Sequence, residues 1–195
     1  MSEKYLDGKM LVAMPGINDD RFERAVVFIC AHSRDGAMGL IVNHEVDSLS
    51  FGNLMERLDL VGSENAILLP DEIAATRVLQ GGPVETSRGF VLHSKDYFSE
   101  ECTLNVDDKV GLTATLDVLR AIATGKGPRK SLLALGYTGW GPGQLESEIR
   151  QNGWLHCEAD ETLLFGHDLS AKYAAALARI GVSEQMLSGG HFGNA

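Results

Sequence analysis

The sequence predicts an α+β fold, and three observations predict it. Short β-branched runs such as "RAVVFICAH" and "GLIVN" cluster early in the chain. Helical periodicities fall between them at irregular intervals, without steady strand–helix–strand alternation. No repeat or Pro-rich linker divides the 195 residues. A single domain over residues 1–187 is therefore expected, with "SGGHFGNA" from 188 to 195 as a disordered tail. A chain of this length buries roughly 70% of its unfolded surface, so it needs neither disulfide nor metal to fold.

Taken in order, the two opening runs flank Asp35-Gly36, a strong turn signal, and read as neighbouring strands or a hairpin. The unbroken apolar stretch from Val26 to Ala31 implies burial on both faces. In "SFGNLMERLDL", Phe51, Leu54, Met55 and Leu58 form one helical stripe behind Ser50 as N-cap. "AILLP", "RVLQGGPV", "RGFVLHS" and "CTLNV" are strand candidates, with "GGPVETS" as the turn between the middle two. "TLDVLRAIATGKG" is a helix capped by Thr115 and stopped at Gly125. "SLLALGY" and "WLHCEA" are further strands. A last helix starts at a Ser170 cap, with Leu169 and Ala174 as a hydrophobic staple, and ends at Gly181.

The net charge of −10 argues against sequence-specific duplex binding, which requires Lys and Arg to neutralise phosphates. The only basic cluster is "GKGPRKS", with Lys126, Arg129 and Lys130, and it reads first as a solvated turn. No run reaches the ~18 apolar residues of a membrane helix. Cys30, Cys102 and Cys157 are odd in number and far apart, which fits reduced thiols in a cytoplasmic protein.

The stretch "GYTGWGPGQLESEI", residues 136–149, poses the sharpest question. A Gly-rich turn before a helix suggests an anion site, yet Gly139, Gly141 and Gly143 give G-x-G-x-G, not the dinucleotide spacing. Pro142 also removes a backbone donor. A packing or partner-recognition element accounts for more of it. Pro142 suits a first helical turn, Glu146 and Arg150 are spaced as an i, i+4 pair, and Leu145 with Ile149 forms a buried stripe. Trp140 is then a packing anchor or an interface residue. The binding candidates are Gly81, Gly82, Tyr137, Gly139, Trp140, Gly141, Gln144 and Glu146, with Tyr137, Trp140 and Trp154 as hot-spot anchors.

At this point "MPGINDDRFERAVVFICAHSRDGAMGLIVN", "GGPV", "GFVLHS" and "LGYTGWGPGQLESEIRQNGWL" together resemble the AlgH/YqgE family of bacterial proteins. The resemblance runs from Leu11 to about Ile180. Thr138 departs from an alanine common there, and Thr113 and Thr115 stand where serine is frequent. The resemblance implies a split, strongly bent, mostly antiparallel sheet that forms a pseudo-barrel flanked by helices. It also carries the label of transcriptional regulator, with no agreed activity or catalytic residues. No helix-turn-helix is evident here.

Two functions remain from the sequence. The first is a non-catalytic binding or regulatory protein acting through an unidentified protein partner, with no cofactor and no membrane association. The alternative is a metal-assisted hydrolase built on histidines that follow apolar strands. Its ligand candidates are His32, His44 and His93, and its catalytic candidates are His32, His93 and Asp19. No H-x-H or H-E-x-x-H spacing accompanies them.

Overall fold

The Asp35-Gly36 turn joins two antiparallel strands, as its sequence predicts. They form part of a computed structural model that describes residues 5–61 and 69–188. Strand β1 (Lys9–Ala13) precedes the hairpin of β2 (Val26–Ser33) and β3 (Gly36–Ile41), where Ser33 pairs with Gly36. Strand β4 (Glu45–Ser50) leads into α1 (Phe51–Arg57). Helix α2 (Asp71–Ala74), β5 (Arg77–Gln80) and β6 (Val84–Ser94) follow. Next come β7 (Thr103–Asn105), β8 (Val110–Thr113) and α3 (Leu116–Ala123). The chain continues through β9 (Ser131–Trp140), α4 (Gln144–Arg150) and β10 (Trp154–Glu158). Helices α5 (Glu161–Phe165), α6 (Leu169–Arg179) and α7 (Glu184–Ser188) complete it.

The strands form one curled sheet in the order β10-β1-β2-β3-β9-β6-β8-β7, antiparallel throughout that path. Strand β9 is its pivot. Along one edge it pairs with β6, and along the other it pairs with two strands in succession. Parallel β5 takes Leu133–Leu135, and antiparallel β3 takes Thr138–Trp140. The sheet splits at this succession. The α+β class and the split, bent, mostly antiparallel sheet expected above are both present, the sheet curling into a half-barrel.

Strand alternation explains why the early runs are apolar throughout. Met10, Val12, Val26, Phe28 and Cys30 face one core, which α5 and α6 close with Leu164, Tyr173 and Leu177. Leu11, Ala13, Val27 and Ile29 face a second core on the opposite side of the sheet, beside Trp140, Leu145 and Trp154. A third core packs Phe51 and Met55 of α1 and Val118 and Leu119 of α3 against β5, β6 and β9.

Several local expectations change. Ser50 does cap α1, and Asn53 completes the reciprocal capping box. Thr115 stands at the N-cap of α3, but its hydroxyl makes no capping bond. The helix expected to be last is α6, which α7 follows; it is capped by Asp168, whose carboxylate accepts the Ala171 N–H, so Ser170 lies inside it. That shift of register leaves Ala174 exposed, and the proposed staple does not form. The turn read over "GGPVETS" is interrupted by Val84, which already pairs with Tyr137 at the start of β6, and an irregular bulge with Glu85 at φ 48° follows before regular pairing resumes at Gly89. Strand β9 runs on through Trp140, and α4 begins only after Gly143, so Pro142 lies outside the helix. Most of "AILLP" and all of the tail beyond Ser188 lie outside the described residues.

Candidate functional site

The far end of β9 and the helix after it gather most of the residues named from the sequence. Gly143 adopts φ 71°, a left-handed conformation that reverses the chain from strand into α4. The reversal lays α4 beside β3 and β10. Glu148 then comes between two buried indoles. Trp140 Nε1 and Trp154 Nε1 both donate to Glu148 Oε2, at 2.9 and 2.8 Å, and Gln144 Nε2 donates to Oε1 at 2.8 Å. The rings meet edge to face at 5.8 Å. Trp140 is 6% exposed and Trp154 1%, so neither is an exposed hot-spot anchor. Their bulk belongs to the core. The backbone N–H of Gly141, an obvious anion donor, is already given to Gln144 Oε1 at 3.0 Å.

The paired glycines serve a different contact. Strands β5 and β6 lie on opposite edges of β9 and are joined by only three residues, so the chain must cross the β9 backbone. A Cβ on Gly81 would lie 2.3 Å from the Gly136 carbonyl oxygen, and one on Gly82 would lie 2.2 Å from the Tyr137 carbonyl carbon. No side chain fits at that crossing. Gly81 also bonds through its N–H to Leu135 and through its carbonyl to the Ile41 N–H. The "GGPV" and "GYTG" motifs are thus two halves of one backbone contact.

Arg150 acts on Glu146 electrostatically, as the i, i+4 spacing predicts, but the hydrogen bond to this carboxylate comes from elsewhere. The carboxylate accepts from His32 at the end of β2, with Nε2 to Oε1 at 3.2 Å. His32 Nδ1 accepts the Leu6 N–H at 3.1 Å, which places the ring proton on Nε2. Glu146's own backbone N–H, and then the His32 ring, hold its carboxyl below the usual range. One catalytic candidate and one binding candidate from the sequence therefore touch.

The other histidines stand apart. His93 is fully buried, with Nδ1 2.9 Å from the Ser94 carbonyl and Nε2 2.8 Å from Thr113 Oγ1. Thr113 in turn bonds Thr103 at 2.8 Å. Burial lowers the His93 pKa, which keeps the ring neutral. His44 bonds the Glu23 backbone, and burial lowers its pKa too. Asp19 caps the short turn Asp20–Phe22 and forks onto Arg21, whose guanidinium holds its carboxyl below the usual range. Among the described residues, no group of three or more His, Cys, Asp or Glu is placed to hold a metal ion. The structure does not bring His32, His44 and His93 together as a ligand set.

Two grooves border Gly139 and Trp140. One, of about 590 Å³, runs past Asp19, Trp140, Gln144 and Glu148. The other, of about 650 Å³, runs past His32, Asp35, Tyr137, Glu85 and Arg88. Glu85 and Arg88 pair at 3.1 Å, and the Arg88 guanidinium lies 5.2 Å from the Phe90 ring centre. The sequence reading missed both residues because it took Glu85 for part of a turn.

A curled antiparallel half-barrel whose pivotal strand β9 runs through a Gly-rich turn into α4 places the chain among α+β proteins. The chain belongs to the AlgH-like family, whose model (DUF179) matches residues 10–185. It is 56% identical over 187 residues to a UPF0301 protein of Bradyrhizobium diazoefficiens, covering 96% of this chain and 87% of that one. A UPF0301 protein of Rhodopseudomonas palustris strain HaA2 is 56% identical over 184 residues, covering 94% and 84%. The solution structure of the AlgH protein from Pseudomonas aeruginosa superimposes with a TM-score of 0.78 at 38% identity, covering 100% and 98%. The crystal structure of protein DIP2367 from Corynebacterium diphtheriae shares the fold with a TM-score of 0.68 at 18% identity, covering 91% and 88%. No helix among the described residues is long and apolar enough to cross a membrane.

Proposed function

We propose that this chain is a cytoplasmic, non-catalytic regulatory protein that acts through a protein partner. One observation carries the reading: β6 outruns its neighbour. Strand β8 pairs only with Val91–Ser94, whereas Val84–Arg88 is exposed beside the groove of His32 and Tyr137. Between Val84 and Gly89 the stretch bulges from its pairing with β9, with Glu85 at φ 48°, so it presents exposed side chains and backbone beside the groove, a surface that suits a segment of another protein. The chemistry nearby supports binding over catalysis, since both ring nitrogens of His32 and of His93 are engaged in bonds that hold the fold. The charge of −10 supports a regulatory action that is not direct duplex recognition.

The test is quantitative capture of partners from native extract with wild-type protein, Arg88→Glu and Ser87→Pro. One discrete partner is expected with wild type and is lost with both variants, while circular dichroism stays unchanged. Equal capture by all three proteins would refute the assignment of this stretch. A hydrolytic activity abolished by His32→Gln would refute the non-catalytic reading.

A further inference from the structure

We infer that the pocket beside the "GKGPRKS" turn binds a small amphipathic anion, a single carboxylate or phosphate head on an apolar body. The pocket lies between α1, α2, α5 and the turn that leads into β9, and its volume of about 590 Å³ is within the range of ligand sites. Phe51, Ile122, Leu133 and Phe165 supply apolar walls. Arg129 and Lys130 stand on its lip, and they belong to the only basic cluster in a chain of net charge −10. The charge pattern selects the head group and the walls select the body.

The two cations are held differently. Asp96 accepts from the Arg129 backbone N–H at 3.1 Å and from Nε at 3.0 Å, which fixes the base of the guanidinium. The side chain is still 86% exposed, which leaves the guanidinium accessible to an anion that it can hold in two parallel bonds. Lys130 Nζ bonds Glu161 Oε2 at 2.6 Å. Asp96 and Glu161 place two carboxylates at the same lip, and they would repel a polyanion such as a nucleoside triphosphate. A singly headed amphiphile meets less of that repulsion, and its apolar part uses walls that a free ion leaves empty. This pocket shares no residue with the β6 groove, so the two assignments stand or fall separately.

The experiment is calorimetric titration of the full chain below micellar concentrations with decanoate, decyl phosphate, decanol and inorganic phosphate. Saturable one-to-one binding is expected for the first two, at least tenfold tighter than for decanol, with none for inorganic phosphate. Arg129→Gln should weaken decanoate at least fivefold without changing decanol. Thr162→Phe, on the exposed side of α5, should fill the pocket and remove binding of both. Circular dichroism on each variant confirms that it folds. Equal affinity for decanol and decanoate, equal affinity for inorganic phosphate, or indifference to either substitution would overturn the assignment.

Discussion

Trp140 donates its indole N–H to Glu148 at 2.9 Å, joining the last residue of a strand to the second turn of the next helix. The same carboxylate oxygen accepts from Trp154 at 2.8 Å, so one acidic side chain satisfies two buried donors. Trp140→Ala should cost ~3–5 kcal/mol, as a buried aromatic does. Glu148→Ala leaves both indoles unpaired and should cost ~2–4 kcal/mol. Urea unfolding at neutral pH measures both. Losses under ~1 kcal/mol would show that the clamp adds little to the fold.

Gly82 and Gly141 should behave oppositely although both lie in Gly-rich turns. A Cβ at Gly82 would lie 2.2 Å from backbone, whereas one at Gly141 meets only Gln144 Oε1 at 3.8 Å. Gly82→Ala is expected to prevent accumulation of folded protein. Gly141→Ala should stay within about 0.5 kcal/mol of wild type. Soluble yield and thermal unfolding separate the two, and a stable Gly82→Ala protein would contradict the crossing.

The 136–149 turn should not act as a nucleotide cradle. Pro142 has no N–H, and the Gly141 N–H is already bonded at 3.0 Å. Calorimetry with ATP, NAD and inorganic phosphate should detect nothing tighter than about millimolar at this turn. Micromolar ATP binding that disappears in a folded Gly143→Val protein would reverse this conclusion.

Lys172 is 3% exposed and donates to the Leu164 carbonyl at 2.6 Å, and burial lowers its pKa to about 8. Between pH 8 and about 10.5 the unfolded chain keeps a proton here that the folded chain has released. Stability from this group therefore rises with pH across that window. The penalty below it is about 3 kcal/mol. Measured against Lys172→Met, in which other titrations cancel, wild-type stability should improve by that amount between pH 7.5 and 10.5. A constant difference would mean that Lys172 keeps its ordinary pKa in the fold.

The three thiols should divide one to two. Cys102 is exposed, while Cys30 and Cys157 are buried and burial pushes both thiols up. Native protein without reductant should show one rapidly titrating thiol, and denatured protein three. A native disulfide would appear as fewer than three in the denatured sample.

Legibility followed the range of the interactions. The Ser50 cap, the Asp35-Gly36 turn and the stop at Gly125 depend on neighbours within a few residues, and each was readable. Strand β4 was not, since "EVDSLS" lacks an apolar period and is held by pairing with distant β5. Asp168 displaced Ser170 as a cap because both residue types are competent, and packing of Leu169 and Tyr173 chose the register.

The sequence by itself determined the apolar alternation that makes the early strands two-sided, the placement of several turns and the family to which the chain belongs. Tertiary structure alone decided what the chemistry-bearing residues do. His32 meets Glu146 across 114 positions of chain, while His93 is sealed against Thr113. Glycines that could have cradled a ligand are consumed where the β5–β6 link crosses β9. A one-dimensional pattern specifies which residues can be buried or can turn. Which distant partner satisfies each polar group depends on strand order, and strand order is settled only when the whole sheet closes.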